Sequence, residues 1–458
     1  MTIQSFMQGK WKKEDKGAAV LLSITGAVFM LLGICGQFLI NSSRWVALIA
    51  ALCAGLLSVS FWKNTSRPVF PVLAVVNLIA CIVGSWTMCT IVAILNLVLG
   101  IFLIVLNLKA LFHAEGLILK ILTAILLVIL LIVSLFLTYV TFSPASTMRF
   151  VRDKLLGNGN IIDAQQAEET LSNGVRVMRD VQYDRSLPNG YLDIYYPADM
   201  ANSKPLTVIY IHGGGYIWGD KASGDPNAGN NAFDASLTYQ LVDAGYPVIS
   251  MNYALAPEYR YPNAIRQLSG GLRWIREHGE ELGLPLDEVA FAGASAGGNL
   301  AGVMANLQTN AAYAAQMELE PAFSAEEVKA VIFEGGLMDN REFGVTHDLL
   351  YDYIFYHMGR VYLKTNELKG NDALAPSNVI DNVSADFPAS FISDGNAGTF
   401  YDQAYMMEAR LKELGVPVKL NIFSQEEAGV LGHGFEESGS EWGKKTIGMI
   451  LDFFEEVH

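Results

Sequence analysis

The chain has 458 residues, 52% hydrophobic and 17% charged, with a formal net charge of −15. Soluble globular chains average about 25% charged residues, so these figures exclude both a disordered chain and one ordinary soluble domain. The charge also divides unevenly: residues 1–142 carry nine Lys/Arg and three acids, and the remainder carries 22 and 43. The first part reads as a membrane solute. The second reads as an acidic, soluble body that repels nucleic acid and anionic headgroups, so no nucleic-acid partner is expected.

Cys35, Cys53, Cys81 and Cys89 all lie in the apolar part. The acidic part therefore has no disulfide framework and no cysteine metal site. The four thiols read as small apolar residues packed between helices.

Residues 17–43, 45–62, 68–108 and 121–142 contain no charged side chain. A helix rises 1.5 Å per residue, so about 20 residues cross a hydrocarbon core of about 30 Å. The run 68–108 is twice that length and must turn back, most naturally at Gly84-Ser85-Trp86-Thr87. This gives five spans, near 17–40, 45–62, 68–85, 88–108 and 117–142. The second and third are short, so a four-span reading stays open. The first run is too long for a signal peptide and is followed by further spans. With five spans, eight Lys/Arg face the side of the N-terminus and four the other. The basic side is expected to be cytoplasmic, which puts the acidic body outside the cell. Asn77, Asn96 and Asn107 lie in spans, but no Asp, Glu or Arg is mid-span. An anchor is expected rather than an ion pathway.

Residues 143–174 form a juxtamembrane linker, with short helices expected at Met148–Leu156 and Ala164–Leu171 around the turn-rich Gly157-Asn158-Gly159-Asn160. From 175 to 458, short β-branched runs alternate with helical patterns. Strands are expected at 175–183, 191–196, 206–211, 247–252, 288–292, 329–333, 389–393 and 418–423. Helices are expected at 233–244, 260–279, 296–308, 402–414 and 440–456. Such alternation predicts a largely parallel α/β sheet flanked by helices.

Gly293-Ala294-Ser295-Ala296-Gly297 follows one predicted strand and opens one predicted helix. That is the setting of a nucleophile elbow, where a strained turn lifts a serine hydroxyl clear of the sheet. His212-Gly213-Gly214-Gly215 follows another strand, and its side-chain-free backbone can bring N–H groups to a developing oxyanion. It lacks the Lys-Ser/Thr ending of a phosphate loop. His433, between Gly432 and Gly434, comes after the last strand, so the order serine, acid, histidine is available. His212, His278, His347, His357 and His458 show no HExxH spacing, which argues against zinc hydrolysis.

Four ordered stretches carry a resemblance. They are Tyr210-Ile211-His212-Gly213-Gly214-Gly215 with Gly219-Asp220; Asn252-Tyr253-Ala254-Leu255-Ala256-Pro257-Glu258; Gly293-Ala294-Ser295-Ala296-Gly297-Gly298-Asn299-Leu300; and His433-Gly434-Phe435. Together they resemble the hormone-sensitive-lipase-like branch of the α/β-hydrolases, over roughly 175–458. The resemblance implies ester hydrolysis through an acyl-enzyme on Ser295, with His433 as base, and with no cofactor or metal. It implies an oxyanion hole from the N–H groups of Gly213, Gly214 and Ala296, and a small-molecule or lipid ester as substrate.

The acid departs from the family pattern. The family places an Asp in an Asp-Pro-Leu segment, and counting back from Gly415-Val416-Pro417-Val418 puts Gly398 there. Asp394 is the first choice for the acid, ahead of Asp339 and Asp402. The aromatic insert 340–372 reads equally as a lid or acyl-pocket wall and as a helix burying its apolar face. Two other classes stay open: a catalytically silent binding or sensing module, and a peptidase or acyltransferase on the same fold.

Overall fold

The computed structural model describes residues 13–60, 69–112, 117–156, 159–161, 163–171, 173–222 and 236–457. The chain forms two compact units, Met1–Pro144 and Ala145–His458.

The first unit is helical: α1 (Lys13–Phe38), α2 (Ser43–Ser60), α3 (Val69–Val83), α4 (Trp86–Phe112) and α5 (Leu117–Phe142). The charge-free run 68–108 breaks at Gly84-Ser85, where Gly84 adopts φ +68°. α1 and α4 approach closely because small residues face each other. A Cβ on Gly33 would lie 2.6 Å from the Ala93 carbonyl oxygen and 2.6 Å from Leu97 Cβ. Buried polar groups pair within the bundle. Asn77 and Asn96 exchange amide hydrogen bonds of 3.2 and 2.9 Å between α3 and α4. Gln37 of α1 accepts from the Thr138 and Thr141 hydroxyls of α5, each at 3.4 Å. Outward faces carry exposed Leu56, Ile82, Val98 and Leu135. Among the described residues, Ile40–Ser58, Trp86–Val105 and Ala124–Phe142 are long and apolar enough to cross a membrane; Leu22–Phe38 and Val69–Val83 are shorter apolar helices.

The second unit opens with helix α6 (Pro144–Phe150) and a π-type turn, Val151–Leu156. Arg152 of that turn is buried. It donates to the Ala256 carbonyl at 3.0 Å and to Glu258 at 2.7 Å. The linker is therefore pinned onto the 252–258 loop. Nine strands follow: β1 (Ala167–Thr170), β2 (Arg176–Gln182), β3 (Tyr191–Tyr196), β4 (Leu206–Ile211), β5 (Val248–Met251), β6 (Glu288–Ala294), β7 (Val328–Glu334), β8 (Ala389–Ser393) and β9 (Val418–Asn421). Their order is β1-β2-β3-β5-β4-β6-β7-β8-β9. The β1-β2-β3-β5 side pairs antiparallel, and β5-β4-β6-β7-β8-β9 pairs parallel.

Parallel strands covered on both faces read as continuous apolar runs, and Leu206–Ile211 is buried throughout. Helices α7 (Leu237–Asp243) and α13 (Glu441–Val457) cover the face presented by Val208, Ala290, Ile332 and Phe391. Helix α9 (Ala296–Thr309) covers the other: a Cβ on its Gly302 would meet Phe333 at 2.9 Å. Helices α8 (Asn263–Leu282), α10 (Ala311–Met317), α11 (Leu349–Leu363) and α12 (Tyr401–Glu413) complete the layers.

One expected element is different. Ala164–Leu171 is not a helix, and its residues 167–170 form edge strand β1 on β2. Ion pairs Glu168–Arg176 and Glu169–Arg179 accompany that pairing. Cross-strand charge pairs favour a strand where Ala and Glu favour a helix locally. Residues 157, 158 and 233–235 of the expected turn and helix lie outside the described residues.

Gly33→Leu is expected to overpack the α1–α4 seam and lower the thermal unfolding midpoint of the full chain in detergent, at a cost of about 1–3 kcal/mol. Gly55→Leu in α2 serves as the control, since a Cβ there meets nothing within 4 Å. Equal behaviour of the two variants would contradict the close seam.

Candidate active site

The parallel strands end along one edge of the sheet, and the residues after β4, β6, β7 and β8 lie there. Open α/β sheets place their sites at this edge. After β6 the chain turns sharply into α9 at Ser295, which holds φ +55° and ψ −120°. Gly297 permits the turn: a Cβ there would lie 2.0 Å from the Ile211 carbonyl oxygen. Ser295 N–H donates to the Glu334 carbonyl at 2.8 Å, which ties the turn to the end of β7.

Gly213 lies beside this turn, its would-be Cβ 3.4 Å from Ser295 Cβ. The carbonyls around it are all engaged. Tyr253 Oη donates to the His212 carbonyl at 3.1 Å. The Gly213 carbonyl pairs with His212 Nδ1 at 2.8 Å. A carbonyl only accepts, so the His212 proton sits on Nδ1, and burial holds this ring below its usual range. The Ser295 carbonyl accepts from Asn299 N–H and Leu337 N–H, each at 3.2 Å. In a trans peptide the N–H points opposite to the C=O. The N–H groups of Gly213, Gly214 and Ala296 therefore point away from these anchored carbonyls.

His433 follows β9 and the single turn Gln425–Ala428. Its Nε2 lies 2.9 Å from Ser295 Oγ. Phe355 of α11 and Phe400 pack edge-on against the ring, with centroids at 5.4 and 5.2 Å. Burial pushes the imidazole down to about 4. The aromatic insert forms helix α11, which buries its apolar face, one of the two readings made from the sequence. It buries Tyr353, Tyr356, Met358 and Tyr362, and it walls the histidine with Phe355.

Of the three candidate acids, Asp339 forks onto Arg341 at 2.8 and 2.7 Å. Asp402 pairs with His347 at 2.6 Å on the surface, both half-exposed. Asp394 is buried and lies on the side of His433: a Cβ on Gly335 would sit 3.3 Å from His433 Nδ1 and 3.4 Å from Asp394 Oδ1. Among the described residues Asp394 makes no direct hydrogen bond to His433. The Thr399 hydroxyl lies between them, bonded to Asp394 Oδ1 and 3.0 Å from His433 Nδ1. The sequence reading missed Thr399. A signal was present: it directly follows Gly398, in the proline position of the family's Asp-Pro-Leu segment.

A second group was also missed. Glu334 and Glu436 are buried behind the site, and Glu437 is half-buried. Ser393 donates to Glu436, and Tyr210 donates to Glu437 at 3.1 Å. Among the described residues, neither Glu334 carboxyl oxygen has a hydrogen-bond partner. Burial first, then mutual repulsion, pushes Glu334 far above the usual carboxylate range. Burial also raises Glu437, and pushes Glu436 up to about 7. Asp394 is raised by burial and by Glu436, against hydrogen bonds from Thr399, Gly395 and Phe400.

A profile of the alpha/beta hydrolase fold matches residues 208–435. The C-terminal unit belongs to the α/β-hydrolase family. Esterase LipI of Mycobacterium tuberculosis is 38% identical over 113 residues, 24% of this chain and 32% of that protein. Carboxylesterase NlhH of the same species is 38% identical over 129 residues, 28% of this chain and 37% of that one. The chain thus spans about a third of the length of these curated relatives. The crystal structure of esterase B from Lactobacillus Rhamnosis aligns with a TM-score of 0.53 at 24% identity, over 70% of this chain and 94% of that one. At that identity the likeness speaks for the fold.

The buried carboxyls give a pH test. A raised folded-state pKa stabilises the fold below the unfolded value, near 4.5, and the benefit is lost as pH rises through the folded value. For Glu436 that window runs to about 7. Thermal stability is expected to fall between pH 5 and pH 8, and Glu436→Gln to flatten part of the fall. An unchanged slope in the variant would remove Glu436 as a source.

Proposed function

We propose that the protein is a membrane-anchored serine hydrolase that cleaves carboxylic esters through an acyl-enzyme. The observation that carries this reading is the 2.9 Å contact between Ser295 Oγ and His433 Nε2 at a strained strand–helix turn. The two curated relatives, named as an esterase and a carboxylesterase, supply the substrate class.

In the mechanism, Ser295 Oγ attacks the ester carbonyl while its proton passes to His433 Nε2. The carbonyl π electrons move to oxygen, and that oxyanion accepts from the N–H groups of Gly213, Gly214 and Ala296. The imidazolium returns its proton to the departing alcohol, which leaves an acyl group on Ser295. Water repeats the sequence and releases the carboxylic acid. Burial favours an uncharged His433, a free base at neutral pH. A different acceptor in place of water would make the same site an acyltransferase.

A silent binding module is the second reading, favoured by one observation, the absence of a direct Asp394–His433 bond among the described residues. Activity decides between the two. The full chain is expected to hydrolyse p-nitrophenyl esters and to take a fluorophosphonate label, and Ser295→Ala to lose both while still folding. Undiminished labelling of the variant would sink the nucleophile assignment. Asp394→Asn is expected to lower kcat by orders of magnitude, as a mis-set histidine tautomer does in serine proteases. Asp339→Asn and Asp402→Asn should stay far closer to wild type.

The bundle supports the anchor. Exposed Leu and Ile on its outer faces suit an apolar solvent, and three of its helices have the length to cross one. With Leu22–Phe38 and Val69–Val83 also crossing, the basic-residue bias keeps the N-terminus in the cytoplasm and the hydrolase outside. Protease added to intact cells should then digest the C-terminal unit and spare an N-terminal tag. A protected C-terminal unit would reverse the orientation and the substrate compartment.

A further inference from the structure

We propose that Thr399 is a positioning residue that transmits the charge of Asp394 to His433, so that Asp394, Thr399, His433 and Ser295 act in series. The proposal rests on the serine-hydrolase reading above.

The geometry carries it. Thr399 and Asp394 are each 1% exposed, so water does not compete for their bonds. Thr399 Oγ1 reaches Asp394 Oδ1 on one side and His433 Nδ1, at 3.0 Å, on the other. A threonine hydroxyl has one proton to give and lone pairs to accept with. An ionised Asp394 can only accept, so the Thr399 proton points to it. The Thr399 lone pair then faces His433, which must present a proton at Nδ1. Nε2 is left bare, and it accepts from Ser295 Oγ at 2.9 Å. The ionised acid thus selects the productive tautomer across one intervening hydroxyl.

A protonated Asp394 allows the reverse order. Thr399 would then donate to Nδ1, Nε2 would carry the proton, and Ser295 would lose its base. Burial and the nearby Glu436 raise Asp394, and the hydrogen bonds it accepts from Thr399, Phe400 and the Gly395 N–H, at 2.8 Å, oppose them and favour the ionised form on which the relay depends. During attack the Ser295 proton passes to Nε2. The Nδ1 proton stays in place, and the imidazolium is stabilised by the aligned Thr399 dipole and by Asp394 behind it.

The backbone explains why a hydroxyl takes this place. The position counted for the family's acid is Gly398, which holds φ +62° with the Tyr351 ring 2.9 Å from its would-be Cβ. A carboxylate there would have to displace Tyr351 from a left-handed backbone position. Thr399 is the next residue, with its hydroxyl on the imidazole.

The test uses the full chain in detergent with p-nitrophenyl acetate and butyrate. It compares wild type, Ser295→Ala, Thr399→Val, Thr399→Ser, Asp394→Asn and the Thr399→Val/Asp394→Asn double variant. Valine keeps the shape and removes the hydroxyl. Thr399→Val is expected to lower kcat by about 10²–10⁴ with KM nearly unchanged. Thr399→Ser should restore kcat to within about tenfold of wild type, which a purely packing role would not predict. The double variant should be no worse than the poorer single variant, since both break one chain. The proposal is overturned if Thr399→Val matches wild type, if Thr399→Ser is as poor as Thr399→Val, or if the two losses multiply. Wild type showing no hydrolysis that Ser295→Ala abolishes would bring down the hydrolase reading and this proposal with it. An active wild type with an unaffected Thr399→Val overturns this proposal alone.

Discussion

The first turn of α9 presses against the end of β4, with room between them for hydrogen and not for carbon. Gly297 is the contact, where any Cβ would collide with the Ile211 carbonyl oxygen. That approach forces Ser295 to a positive φ, +55° with ψ −120°, which costs of order 1–3 kcal/mol for a side-chain-bearing residue. Burial offsets the strain: every residue of α9 from Ala296 to Thr309 is buried. The same contact brings the His212–Gly215 loop alongside the serine. The Ser295 turn and the glycine-rich loop are therefore one packing solution, and neither could move without the other.

Much of this was legible because period and punctuation carry local information. The strands from 206–211 onward and the elbow read directly from apolar runs ended by glycines. Ala164–Leu171 did not read correctly, because its strand state comes from pairing with β2 at Arg176 and Arg179. Asp394 was reachable as the acid at the end of a strand, and Thr399 only as the residue after Gly398 in the family's segment. Its role appears only when a loop at 394–399 meets another at 433. The carboxyls at 334, 436 and 437 were invisible for the same reason. Acids near a loop read as solvated until the sheet edge closes over them.

The helical unit follows a different rule. With apolar side chains exposed on its outer faces, burial of oil would offer little drive for its helices to pair in the apolar solvent proposed above. Close contact and hydrogen bonding must supply it. Gly33 opposite Ala93 allows the backbones of α1 and α4 to meet, and the reciprocal Asn77–Asn96 amides join α3 to α4. A buried amide pair of this kind has every reason to stay paired, since each amide lies in apolar surroundings. These asparagines thus serve to fix helix order.

Behind the candidate site, Asp394, Glu436 and Glu437 each meet a hydroxyl, from Thr399, Ser393 and Tyr210. Among the described residues none of the three pairs with Lys or Arg. A cation would lock a buried carboxylate into its charged form, whereas a hydroxyl can donate to the anion or accept from the acid. The cluster can therefore gain or lose a proton by turning hydroxyls, with no movement of backbone. Repulsion among the carboxyls means that they cannot all ionise together near neutrality. Whichever member holds the proton sets the direction of the hydroxyls beside it. In the proposed relay, that direction at Asp394 sets which nitrogen of His433 is bare. In the relay proposed above, the charge state of Asp394 reaches Ser295 through the oriented Thr399 hydroxyl and the His433 ring.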